Sequence, residues 1–154
     1  MSDRTYPVLP EIAAHAHVTT AQHHAMTEAA IADPEAFWAE QAKRVSWIRQ
    51  PTRAKNASFE GDVSIRWYED GRLNASATCL DRHLTERPNQ VAIIWEGDDP
   101  NQQRKVTYRE LHEEVCRLAS ALRTLGVKRG DRVTIYLPMV VEAAVAMLAC
   151  ARLG

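Results

Sequence analysis

The last fifteen residues, VVEAAVAMLACARLG, constrain the fold more than any other stretch. Apolar side chains occur on every turn, with Glu142 and Arg152 the only charges, and a helix that is apolar nearly all round is buried on more than one side. Pro138 suits the start of this helix, because its missing N–H would be unpaired there in any case. Gly154 suits a left-handed cap at the end. Val140, Val141, Ala144, Val145, Met147, Leu148 and Ala151 spread round the whole circumference. A single sheet face can cover only part of them, so the helix is expected to belong to a layered structure larger than the residues that precede it supply.

Those preceding residues have two textures. Residues 1–61 are rich in Ala, His and Gln and read as a helical and looped amino-terminal arm, whereas residues 62–154 alternate strand and helix patterns. In the arm, DPEAFWAEQAKRVSWI predicts a helix with Asp33 as cap, Pro34 in the first position and Glu35 at the positive end of the dipole. Phe37, Trp38, Gln41, Val45 and Ile48 fall on one face of it. A second helix is predicted over TAQHHAMTEAAIA.

From residue 62, Val63, Ile65 and Trp67 alternate with Ser64, Arg66 and Tyr68, the period of a strand with two different faces. Asp70-Gly71 turns the chain. Asn74 caps a helix predicted through Leu73, Ala77, Leu80 and Leu84. VAIIWEG is the next strand, DDPNQQR a hairpin tip and KVTY a short strand. Thr107 and Glu110 form a capping box opening a helix whose stripe is Leu111, Val115, Leu118, Leu122 and Leu125, closed by Gly126. RVTIYLP is the last strand before the final helix. This alternation predicts an α/β fold, the start of a mostly parallel, layered sheet that these residues leave incomplete.

Composition narrows the function. The formal net charge is −1, which offers no field to gather nucleic acid or anionic lipid. No uncharged apolar run is long enough to span a bilayer, and MSDRTYPVLPEIAAH lacks the apolar core of a leader, so a cytoplasmic location is expected. Cys79, Cys116 and Cys150 are odd in number and widely spaced, which argues against a disulfide framework or a zinc site. The six glycines are isolated, so no glycine-rich phosphate loop can be built from them, and the G-x-S-x-G elbow of serine hydrolases is missing.

Three constellations have a functional and a plain reading. His15 and His17, with His23 and His24, are imidazoles at short spacing that can share a metal ion. Without a carboxylate or thiol at ligand spacing, we read them as solvated surface. Asp81, Arg82 and His83 look like a catalytic set, yet helix neighbours one and two apart do not face each other, so capping or ion pairing is expected instead. Trp38, Trp47, Trp67 and Trp95 are suited to stacking on a ring. With no basic stripe beside them, core or interface anchoring is the better reading.

FWAEQAKRVSWI, SIRWYEDGRLN, CLDRHL, AIIWEGDD, TYRELHEEVCRLASAL and LGVKRGDRVTIYLPMVVEAAVAMLACARLG, in this order, resemble the amino-terminal portion of AMP-forming acetyl-CoA synthetases, members of the adenylate-forming acyl-CoA synthetase family. The resemblance runs from about Ile31 to Gly154. WYEDG together with IIWEGDDP looks like the acetate enzyme rather than a propionyl-CoA synthetase. Many members carry aromatic residues where this chain has His23 and Thr27.

The resemblance implies that residues 1–61 are the arm of such a synthetase and residues 62–154 the first strand–helix units of its AMP-binding domain. It implies a ligase that converts acetate, ATP and coenzyme A to acetyl-CoA, AMP and pyrophosphate through acetyl-adenylate, with Mg2+. It also implies that the catalytic, cofactor-binding and metal-binding residues lie beyond Gly154. None is therefore assigned to residues 1–154, and the chain alone is expected to be inert. The expected partners are the small-molecule substrates and the remainder of the enzyme chain, with no nucleic acid and no membrane. The alternatives are the front piece of another short-chain acyl-CoA synthetase, such as a propionyl-CoA synthetase, and a non-catalytic interaction module that docks through its apolar helix.

Overall fold

The structure is a computed structural model and describes residues 6–99 and 101–154. Residues 1–5, part of the stretch read for a leader, and Pro100, in the predicted hairpin tip, lie outside the described residues. In chain order the elements are α1 (Pro10–Ala14), α2 (Thr20–Ala32), α3 (Pro34–Ala42), β1 (Trp47–Arg49), β2 (Lys55–Ser58), β3 (Ser64–Trp67), β4 (Arg72–Leu73), α4 (Ala75–Cys79), β5 (Val91–Glu96), β6 (Gln103–Thr107), α5 (Tyr108–Thr124) and α6 (Val141–Leu153). They fall into two compact units, Met1–Arg44 with Arg53–Glu69, and Val45–Thr52 with Asp70–Gly154.

In the first unit, α2 begins on a capping box. Thr19 Oγ1 accepts from the Gln22 N–H, and the Gln22 side chain accepts the Thr19 N–H at 2.8 Å. The cap of α3 is the predicted one, with the Asp33 carboxylate accepting from Ala36 N–H at 3.0 Å ahead of Pro34. That helix stops at Ala42, however, and does not run on to Ile48. Val45, Trp47 and Ile48 are β-formers, and pairing of Trp47 with Leu73 decides their conformation over the helical spacing. β2 and β3 form an antiparallel pair from Lys55↔Trp67 to Ser58↔Ser64. The start of β2 is held by Glu35, whose carboxylate accepts from Ala54 N–H at 2.5 Å and Lys55 N–H at 3.0 Å.

In the second unit, β1 pairs antiparallel with β4. Asp70 accepts from both the Thr52 N–H and its hydroxyl, bonds that hold the Asp70 carboxyl below the usual carboxylate range. Asn74 caps α4 by accepting from Ala77 N–H at 3.1 Å, but the helix predicted through Leu84 breaks at Leu80. Asp81–His83 continue as a 3-10 turn, because the fully buried Leu80 is drawn into the core with φ −120°. β5 and β6 form the predicted hairpin, antiparallel from Val91↔Thr107 to Glu96↔Gln103. α5 opens on the predicted capping box, the Glu110 carboxylate accepting from Thr107 N–H at 2.8 Å. It closes on Gly126 at φ +92°, with Gly126 N–H on Arg123 O and Val127 N–H on Leu122 O, a left-handed termination that a Cβ would strain.

The core of this unit is Leu80, Val106, Leu111, Val115, Ala119, Val141, Val145 and Ala149, with Ile93, Trp95, Leu118, Leu122 and Leu148 packed against it. Leu111, Val115 and Ala119 recur every four residues on α5 and meet the same period on α6, Val141, Val145 and Ala149.

One expectation about this unit needs correction. The final helix starts at Val141 with Val140 as its cap, so Pro138 precedes it rather than filling its first position. The three two-stranded sheets described are all antiparallel, giving a mixed helix and small-sheet structure among the described residues. β5 and β6 are joined by a loop short enough only for a hairpin, and parallel pairing needs a longer crossover. Residues 132–137, read as a strand, carry no strand pairing among the described residues, and Val133, Ile135, Tyr136 and Leu137 are exposed.

Candidate functional site

The α5–α6 packing brings together a polar cluster that no local pattern announced. Asp81, on the 3-10 turn, accepts from both terminal nitrogens of Arg152 on α6 at 2.8 Å each, a bidentate fork. His112 on α5 places Nε2 3.3 Å from the same guanidinium and 3.6 Å from Asp81 Oδ1. One turn on, Cys116 Sγ lies 3.5 Å from His112 Nε2.

The electrostatics follow from the contacts. Hydrogen bonds from Arg152, reinforced by its charge and that of His112, hold the Asp81 carboxyl below the usual carboxylate range against a partial loss of hydration. The hydrogen bond to Asp81 and the Asp81 charge raise the Arg152 value in return. Arg152, Cys116, Ala119, Ser120, Arg123 and Leu153 line a cavity of about 220 Å³.

The residues singled out in the sequence are dispersed. Among the described residues no three of His, Cys, Asp and Glu converge as metal ligands. His15 follows α1, and His23 and His24 are exposed on α2 with ring centroids 6.1 Å apart. Asp81 and His83 part company as helix geometry requires. Asp81 turns to Arg152, while the His83 ring lies 4.6 Å from that of Tyr108 and its Nδ1 accepts from Arg87 Nε at 3.2 Å. Burial, then the Arg87 and Arg82 charges, lower the His83 value.

The tryptophans take three different places. In the first unit Trp38 and Trp67 meet edge to face at 5.6 Å and, with Tyr68, line a cavity of about 180 Å³. Tyr68 stands at φ +51°, its hydroxyl donating to Trp38 O at 2.7 Å, and burial raises its pKa, helped by the Glu35 charge. In the second unit Trp47 lies in β1, and Trp95 donates its indole N–H to Met139 O at 2.7 Å. Asp81 was noted in the sequence, but its partner is 71 residues away. No spacing rule connects the two.

An apolar groove of about 480 Å³ runs between the helices and residues 133–137, lined by Leu118, Leu122, Val133, Ile135, Val145 and Ala146 among others. Among the described residues no helix is long and apolar enough to cross a membrane.

Residues 23–79 match the family described as acetyl-coenzyme A synthetase N-terminus, and residues 80–154 match the AMP-binding enzyme family. The acetyl-coenzyme A synthetase of Bradyrhizobium diazoefficiens is 59% identical over 155 aligned residues, taking in 100% of this chain and 24% of that protein. The acetyl-coenzyme A synthetase of Rhizobium rhizogenes is 55% identical over 154 residues, with the same two shares. Among solved structures, acetoacetyl-CoA synthetase from Streptomyces lividans superposes with a TM-score of 0.72 at 29% identity, over 94% of this chain and 22% of that one. The chain spans about a quarter of the length of the curated relatives it matches. The two matched regions follow each other directly from residue 23 to Gly154, and the chain belongs to the acetyl-coenzyme A synthetase family, as the counterpart of its amino-terminal region.

Proposed function

We propose that this chain is the amino-terminal part of an enzyme that joins acetate to coenzyme A at the expense of ATP, giving acetyl-CoA, AMP and pyrophosphate through acetyl-adenylate. The observation that carries the reading is the 59% identity, over all of this chain, to a protein named acetyl-coenzyme A synthetase. The lower identity of 29% to an acetoacetyl-CoA synthetase favours acetate over the larger acid.

In this reading residues 1–61 are the arm and residues 62–154 open the AMP-binding domain, which the match of residues 80–154 to that family supports. Residues 132–137 take a place in a mostly parallel sheet once neighbouring strands pair with them. The exposure of Val133, Ile135 and Leu137 in an extended apolar stretch supports this.

The groups that bind ATP, coenzyme A and acetate are assigned to other parts of the enzyme, as is the Mg2+ site. The described residues present no convergent set of metal ligands, so no step of the reaction is derived through the metal. The partners are these small molecules and the rest of the enzyme, in the cytoplasm, rather than nucleic acid or a membrane.

The test joins this chain, at Gly154, to the remainder of the Bradyrhizobium diazoefficiens synthetase. The chimera is expected to release pyrophosphate from ATP in an acetate-dependent way, and the 154-residue chain to release none. A folded but inert chimera overturns the proposal, and acetate-dependent release by the chain alone overturns the placement of the catalytic groups.

A further inference from the structure

We draw no further inference here: the strongest candidate, the apolar groove between α5, α6 and residues 133–137, carries nothing beyond the place in a sheet already proposed for that segment, because nothing in the structure shows what covers it.

Discussion

Arg152 and Asp81 are joined by two parallel hydrogen bonds of 2.8 Å, one from each terminal nitrogen to each carboxylate oxygen, although 71 residues separate them. The pair ties the 3-10 turn after α4 to the last turn of α6. Because the fork lowers the Asp81 pKa, its stabilisation is fully present above the unfolded carboxylate value of about 3.9 and is lost as the pH falls through the lower folded value. Both side chains keep some exposure, 37% for Asp81 and 25% for Arg152, so solvent screening holds the worth of the pair to about 1 kcal/mol. Asp81→Asn is expected to lower the urea midpoint at pH 7 and still at pH 5, and the gap to the parent should close below about pH 3. Urea titrations at these three pH values measure it, and a gap that widens in acid contradicts the assignment.

The core predicts a larger effect. Leu111 is 3% exposed and opens the buried α5 stripe. Leu111→Ala should cost about 2–5 kcal/mol, by lost burial and the cavity left behind. Leu125, at 81% exposure, lies on the same sequence stripe, and Leu125→Ala should be within about 0.5 kcal/mol of the parent. Thermal unfolding of the two variants side by side checks the contrast.

Much of this architecture is written locally and was readable for that reason. Asp33 ahead of Pro34, Thr107 with Glu110, and Gly126 after Leu125 are signals within one helical turn, and each produced the expected terminus. The β5–β6 hairpin followed from two apolar runs around a polar loop. What escaped depends on distant residues. β2 reads KNAS, with no apolar alternation, and is a strand because β3 pairs with it and Glu35 receives its first N–H groups. The strand at Trp47–Arg49, where the helical spacing would have continued, is set by its pairing with β4, distant in sequence. The cluster of Asp81, Arg152, His112 and Cys116 is assembled from three elements, so no spacing within one helix gathers it.

Exposure along residues 133–147 carries a prediction about association. Val133, Ile135, Tyr136, Leu137, Met139 and Met147 all present apolar surface to solvent. An extended apolar segment without strand partners pairs readily with another like it. At micromolar concentration the chain is expected to be marginally stable and to self-associate. Sedimentation velocity and thermal unfolding test this, and a cooperative monomer melting above about 60 °C would sink it.

The histidines of the amino-terminal helices give a negative prediction. His15, His17, His23 and His24 belong to no group of three or more His, Cys, Asp or Glu side chains that could hold a metal ion among the described residues. Titration calorimetry with zinc at neutral pH should show no site tighter than about 1 μM, and a sub-micromolar site overturns the solvated reading.

Asn74 joins two helices through one amide. Its oxygen accepts from Ala77 N–H at the start of α4, and its nitrogen donates to Ala151 O and Arg152 O at the end of α6, at 3.0 and 3.1 Å. Asn74→Ala should cost about 1–2 kcal/mol in denaturant titrations, from a lost cap and the carbonyls left without their donor. Asn74→Asp can still cap α4, yet it sets a carboxylate against the α6 carbonyls and should recover little of the loss.

The same amide has a consequence for the charge map of the fold. A helix start carries about half a positive elementary charge and a helix end about half a negative one. Asn74 sets the start of α4 beside the end of α6, so the two partial charges neutralise each other over the length of one neutral side chain. Neither terminus then needs an ion from solvent, and the junction is insensitive to both salt and pH. The junction and the Asp81–Arg152 pair meet at Arg152, whose carbonyl serves the one and whose guanidinium serves the other, and acid dismantles only the second.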